Sequence, residues 1–310
     1  MSEIAECDRN TVIFDIISNE QMKQLFLAIL AVLLVGCDAE STDYEFVNVA
    51  LPVVQSKADF RASVRIQPAE EIQQTGKIYA YQNLIFVNDE GRGVHIIDNS
   101  NPSAPIKTQF IKIPLNYDVA IKDDILYADS GTDLVLFDIS VIQSISEVGR
   151  INDVFENEAR TPDGAAYVDA SQVDFQNEII VDYTIVQRQE EVSNDGFELS
   201  DTASAGGGTG QAGSLARFLV YNNYLYTLEF NRLTTFDISN TTAPVQTAQE
   251  YDGWNMETLF ISENYLYIGT QNGLIVYNLD MPAQPVRVGE AQHYSIGAKF
   301  TSDVPHLEIW

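Results

Sequence analysis

The sequence predicts an all-β chain, a β-propeller built from repeats of about 40 residues, on three observations. Four times an alternating apolar strand ends in Asp or Asn: Val94-His95-Ile96-Ile97-Asp98, Leu134-Val135-Leu136-Phe137-Asp138, Leu233-Thr234-Thr235-Phe236-Asp237 and Leu274-Ile275-Val276-Tyr277-Asn278. Each follows an earlier apolar strand at a nearly fixed distance, because Phe86, Tyr127, Tyr226 and Tyr267 lie 11 or 12 residues before the closing Asp or Asn. The closings are 40 residues apart from Asp98 to Asp138 and 41 from Asp237 to Asn278, the length of one four-stranded blade.

Within a repeat, two apolar strands bounded by turn residues pair as a hairpin, and the closing Asp98, Asp138, Asp237 or Asn278 supplies a side-chain oxygen that caps the next turn. Three repeats carry Pro seven residues later, at Pro105, Pro244 and Pro285, which fixes the direction of the following strand. A single blade covers only one of its faces, so neighbouring blades must stack and most repeat residues serve packing. Ile296 to Trp310 shows neither a Leu-Tyr strand nor an Asp-Ile-Ser ending, so the propeller is expected to be incomplete or open at its C-terminal end.

The front of the chain reads differently. Met22-Lys23-Gln24 opens an uncharged run from Leu25 to Gly36 that closes on Leu34-Val35-Gly36-Cys37. A basic start, a short apolar stretch and a small residue before Cys is the order of a signal peptide, and the run is too short to span a bilayer as a helix. Its ending resembles the lipobox of bacterial lipoproteins, which implies acylation of Cys37. Residues 1–21 carry five acidic side chains and fit no signal, so translation is expected to start at Met22, with 1–21 a non-native upstream extension. Residues 22–36 are then the signal peptide, 37–50 a tether and 51–310 the repeat domain.

The interval from Asp138 to Asp237 is 99 residues, one repeat plus roughly 59, which places an insertion at about 151–214. Insertions in repeat folds map to loops on one face. This one offers a strand pair around Glu178 to Gln187 and a glycine-heavy polar tract from Ser193 to Ser214. Gly208-Thr209-Gly210-Gln211-Ala212-Gly213 spells G-x-G-x-x-G, but no strand feeds it and no helix leaves it, so it predicts a loop and no dinucleotide cofactor.

Formal charge narrows the partners. The whole chain carries −28, and removing residues 1–36 leaves 15 basic against 40 acidic side chains. Such a surface repels nucleic acid and anionic headgroups. With Cys37 acylated and Cys7 upstream, no thiol remains for a disulfide or a nucleophile. No nucleophile elbow, phosphate-binding loop or calcium loop is written. The three histidines, His95, His293 and His306, lack metal-ligand spacing, and His95 reads as a packed strand residue. Asp129 echoes Asn88-Asp89 one blade earlier and reads as a turn cap, and Asp123-Asp124 as a solvated turn. No catalytic, cofactor-binding or metal residue is assigned.

Gly76-Lys77-Ile78-Tyr79, Gly93 to Asn99, Leu126 to Ser130, Leu134 to Ser140 and Arg150 to Phe155 together resemble the bacterial LVIVD-repeat proteins, over roughly Pro52 to Tyr294. The resemblance implies a secreted or lipid-anchored β-propeller and carries over no catalytic residue. Two functions follow as expectations. The first is a cell-envelope lipoprotein held to the membrane through Cys37, in the outer membrane, whose propeller loops bind a protein or glycan. The alternative is an envelope hydrolase or lactonase-like enzyme with a metal held by Asp, Glu and Asn at the central channel. Convergence of three or more such side chains from different blades separates the two.

Overall fold

The structure is a computed structural model that describes residues 44–191, 217–251, 256–271 and 273–292. It opens with β1 (Tyr44–Ser56). Ser56 then caps the short helix α1 (Lys57–Ala62): its Oγ accepts the Asp59 N–H at 3.1 Å and donates to the Asp59 carboxylate at 2.7 Å. β2 (Arg65–Pro68) leads into the first blade, formed by β3 (Thr75–Tyr81), β4 (Leu84–Asp89), β5 (Gly93–Asp98) and β6 (Ile106–Lys112). That blade is an antiparallel meander, and β2 pairs along its outer edge with β6.

The second blade is β7 (Val119–Lys122), β8 (Ile125–Ser130), β9 (Asp133–Asp138) and β10 (Ser146–Ile151). Next come β11 (Tyr167–Val168) and β12 (Glu178–Glu191), which flank β1 in a separate three-stranded sheet ordered β11-β1-β12. The third blade is β13 (Phe218–Tyr221), β14 (Tyr224–Leu228), β15 (Arg232–Asp237) and β16 (Val245–Tyr251). The fourth is β17 (Met256–Ser262), β18 (Tyr265–Thr270), β19 (Gly273–Asn278) and β20 (Val286–Gln292). All four blades belong to one compact unit, Val47–Arg188 with Ser200–Trp310.

The blades share two local devices. Their first and second strands join through two-residue turns with left-handed backbone, at Gln82, Asp123-Asp124, Asn222 and Glu263, the geometry that matches strand twist in a hairpin. Their third and fourth strands each carry a register shift, as between Ile96 and Ile97 or Val276 and Tyr277. A bulge at that place sharpens the twist that a blade needs.

Stacking follows the expected logic. Phe86, Val94 and Ile96 of the first blade pack on Leu126, Val135 and Phe137 of the second. Tyr127, Leu134 and Leu136 of the second meet Phe218, Leu225 and Phe236 of the third. Tyr226 and Leu233 of the third meet Leu266, Ile268 and Tyr277 of the fourth. The first strands β3, β7, β13 and β17 come together in that order. The roughly 59 extra residues therefore add no blade between the second and third.

Two expectations need correction. Residues 44–50, assigned to the tether, are the first half of β1, in which Val49 and Ala50 are fully buried beside β11. The strand pair expected around Glu178 to Gln187 is one long strand, β12, in a sheet with β1. Its partner lies more than a hundred residues upstream, where local pairing signals cannot show it. Cys37, the signal segment, the Gly208–Gly213 loop, His293, His306 and Ile296 to Trp310 lie outside the described residues.

Candidate functional site

The closing residues of the four repeats sit in equivalent turns. Asp98, Asp138 and Asp237 accept the N–H of Ser100, Ser140 and Ser239 at 2.8–2.9 Å, and Asn278 accepts that of Asp280 at 2.7 Å. Hydrogen bonds from the Ser100, Ser140 and Ser239 side chains, and then from their N–H groups, hold the three Asp carboxyls below the usual range. The four residues stand one per blade and each serves its own turn, so the structure does not bring them together.

Chemistry gathers at the opposite end, where the first strands begin and the second strands finish. A buried polar chain there ties three blades. Asn88 donates to Asn116 Oδ1 at 2.6 Å, and Asn116 donates to Asp129 at 2.6 Å. Asp129 also accepts the Tyr117 and Asp118 N–H groups at 2.9 and 3.0 Å, so it caps the entry to β7. Asp118, fully buried, accepts the Arg217 and Phe218 N–H groups from the start of β13 at 2.5 and 2.7 Å. Lys77 on β3 lies 2.8 Å from the Asp118 carboxylate and donates to the Val119 and Phe218 carbonyls. Burial pushes the Asp129 carboxyl up to about 6, with the neighbouring Asp118 adding to the rise. Burial also raises Asp118, against the pull of Lys77.

Above this chain lies a cavity of about 530 Å³. Its floor is Tyr117, Asp129, Phe155 and Phe218, and one wall is the Ile179–Tyr183 stretch of β12. The insertion reaches the blade through Gly131, whose left-handed backbone (φ 58°) and missing Cβ let Ile179 and Phe60 lie against the turn. The helix α1 that carries Phe60 is clamped beside it, since Arg61 donates to Asp133 at 2.8 and 2.9 Å and Lys57 lies 2.6 Å from Asp153.

The lining holds five carboxylates, Asp129, Glu156, Glu158, Asp182 and Glu229, and two guanidinium groups, Arg160 and Arg217. Part of that charge is already satisfied. Arg232 pairs with Glu229 and lies 3.4 Å from Glu156. A hydrogen bond to Glu156 raises the Glu158 carboxyl, and burial raises Glu229. Arg217 stacks its guanidinium 5.9 Å from the centre of the Tyr117 ring and hydrogen-bonds through it to no described residue. Tyr117 is 45 % exposed, so its ring and the guanidinium over it face the cavity. The Tyr183 hydroxyl accepts the backbone N–H of Arg160 at 2.9 Å.

Among the described residues, no three His, Cys, Asp or Glu side chains are grouped to hold a metal ion. His95 is fully buried on β5 and bonds Asp89 at 3.0 Å, with the Phe110 ring 4.5 Å away. Asp123 and Asp124 form a hairpin turn.

The LVIVD repeat matches residues 74–109, 210–249 and 255–290, which contain most of the first, third and fourth blades. The chain carries LVIVD repeats on a β-propeller fold. The second blade lies outside the matched spans, and there a 3-10 turn at Ile142–Ser144 stands in place of the proline segment. No curated protein matches the chain in sequence. Among solved structures it is similar to a protein from Lactobacillus plantarum, at 8 % identity and TM-score 0.48, covering 74 % of this chain and 59 % of that one. It is also similar to the periplasmic gluconolactonase PpgL of Pseudomonas aeruginosa, at 11 % identity and TM-score 0.40, over 70 % of this chain and 54 % of that one. A third is a functionally unknown protein from Desulfotomaculum acetoxidans, at 12 % identity and TM-score 0.36, over 71 % and 70 %. The chain thus spans less than two thirds of the length of the first two.

Proposed function

We propose that the chain is a cell-envelope lipoprotein, acylated at Cys37, whose propeller binds an uncharged, hydroxyl-rich ligand of the glycan class in the cavity beneath the insertion. The mixed lining of that cavity carries the reading. Its volume of about 530 Å³ lies within the range of about 300–1,000 Å³ common for small-molecule sites. Carboxylates only accept hydrogen bonds and guanidinium groups only donate them, whereas a hydroxyl does both. An anion would meet five carboxylates, and a cation would meet Arg160 and Arg217. A polyol is the class that uses both signs at once, and the half-exposed Tyr117 ring offers an apolar platform for a sugar face.

Calorimetric titration of the purified full chain with uncharged gluco-, manno-, galacto- and N-acetylglucosamine oligosaccharides tests the binding. Saturable binding is expected for at least one of them, weakened about ten-fold or more by Arg217→Ala, the loss typical of a charge-assisted hydrogen bond. Binding to none, or binding indifferent to Arg217→Ala and Tyr117→Ala, refutes the glycan reading. The anchor is tested separately: Cys37→Ser is expected to abolish lipid attachment seen by mass spectrometry and to release the protein from the membrane fraction.

A further inference from the structure

Asp129 departs from the repeat at the point where the repeat meets the cavity. Val94, Leu134, Leu233 and Leu274 stand at one place in the four third strands, and their partners on the second strands are Asn88, Asp129, Leu228 and Gly269. An amide, an apolar side chain and a glycine all serve that place, so blade packing does not call for an acid there. In the first blade Asn88 makes its link to Asn116 without a charge. Burial raises Asp129 to about 6, and an acid set where its surroundings oppose its charge is the mark of a functional group.

The two carboxylate oxygens of Asp129 are used differently. Oδ1 accepts three donors, the Asn116 side chain at 2.6 Å and the Tyr117 and Asp118 N–H groups at 2.9 and 3.0 Å. From the described residues Oδ2 takes only a share of the same Tyr117 N–H, at 3.1 Å. Asp129 lines the cavity floor, so Oδ2 is the oxygen with a lone pair left for a ligand there. Arg217 stands over the ring of that same Tyr117. Acceptor and donor thus meet at one aromatic platform. Two charges face Asp129 directly: Asp118 at the entry to β7, itself paired with Lys77 of β3, and Arg217 at the entry to β13. Glu156, Glu158 and Arg160 of the insertion, Asp182 of β12 and Glu229 beyond β14 line the rest of the cavity.

We propose that Asp129 is the acid through which the cavity holds its ligand: Oδ2 accepts one hydroxyl of a sugar lying on Tyr117, Arg217 donates to an adjoining hydroxyl, and acid releases the sugar. This rests on the glycan reading of the cavity and adds to it a pair of neighbouring hydroxyls as the recognised group. A carboxylate accepts from a hydroxyl at both oxygens, whereas a protonated carboxyl turns one of them into a donor. Binding and protonation therefore compete at Oδ2.

Calorimetric titration of the full chain with the same uncharged oligosaccharides at pH 7, 6 and 5 tests this. For a sugar that binds at pH 7, affinity is expected to fall about ten-fold by pH 5, the factor for one proton at a site titrating near 6. Repeating the pH 6 titration in two buffers of different ionisation enthalpy is expected to show protons released on binding. Asp129→Asn keeps an acceptor for the three Oδ1 donors and is expected to lose both the pH slope and the proton release. Glu158→Gln is expected to retain both, whatever its affinity at pH 7. Saturable wild-type binding that is equally tight at pH 7 and pH 5 overturns the role of Asp129 and leaves the glycan reading standing, and it is read on the wild type, whatever the variants do to folding. An Asp129→Asn protein that keeps the wild-type slope has the same consequence. Binding of no sugar at any pH overturns both.

Discussion

Asp129 and Asp133 stand four residues apart on either side of one turn and respond to pH in opposite senses. Burial raises Asp129 from 3.8 to about 6. Burial pushes Asp133 up as well, but the hydrogen bonds from Arg61, the Asp153 N–H and Arg150 outweigh it and hold the carboxyl low. A raised folded pKa means that the stabilising contribution of Asp129 is fully present below about pH 4 and is lost as pH rises through about 6. Asp129→Asn keeps an acceptor oxygen for Asn116 and the two N–H groups, and it removes that titration. Chemical denaturation of wild type and variant should therefore diverge by about 1.4 kcal/mol per pH unit between pH 4 and 6, the value for one proton. Asp133→Asn should behave in the reverse way, losing about 1.5–3 kcal/mol at neutral pH because Arg61 and Arg150 each lose one charged acceptor while keeping Asp153 and Glu147. That deficit should shrink as pH falls below 3.8. The sequence shows Asp129 as a repeating cap, and it does cap. The charge chemistry around it is not legible there, because Lys77, Asp118 and Phe218 meet from positions up to 141 residues apart and share no motif.

At the scale of elements, the repeat strands are legible because period-two patterning, two-residue turns and the closing Asp act over a dozen residues. The elements that build the cavity are not. β12 alternates like a hairpin strand, and only the position of β1 shows that its neighbour comes from the front of the chain. The helix α1 has a short capping signal, Ser56 with Asp59 three residues on, but it is barely two turns long and its burial rests on Phe60 alone. That side chain is 2 % exposed and lies on the Gly131 turn. Phe60→Ala is expected to cost about 3–5 kcal/mol locally. Hydrogen exchange should then quicken in α1, β1 and β12 while β8 and β9 keep their protection, since the blade strands are held by their own stack. Uniform loss of protection across the second blade is the result that would show α1 to be part of the blade core.

For the whole molecule, the consequence of a repeat is that stability divides into blades and the interfaces between them. The second–third and third–fourth interfaces each join an apolar patch to one directional contact, the Tyr hydroxyl on a turn carbonyl of the next blade. Burial raises the pKa of Tyr127 and of Tyr226, as expected for phenols sealed between sheets. Removing the hydroxyl leaves the Thr241 or Pro282 carbonyl without that donor while barely changing the apolar packing. Tyr127→Phe and Tyr226→Phe should each cost about 1 kcal/mol, a fall in Tm of roughly 2–4 °C. The double variant should lose the sum, because the two contacts lie at different interfaces and share no partner. Phe86 occupies the corresponding place in the first blade and has no hydroxyl to lose, so Phe86→Tyr offers the reverse experiment. Its new hydroxyl would be aimed at the turn after Asp138, where Ile142–Ser144 forms a 3-10 turn instead of the proline segment of the other blades. With that acceptor arranged differently, Phe86→Tyr should bury an unsatisfied hydroxyl in a fully sealed core and lower Tm rather than raise it. A gain in Tm would mean that the second blade's turn presents its carbonyl as the third and fourth do.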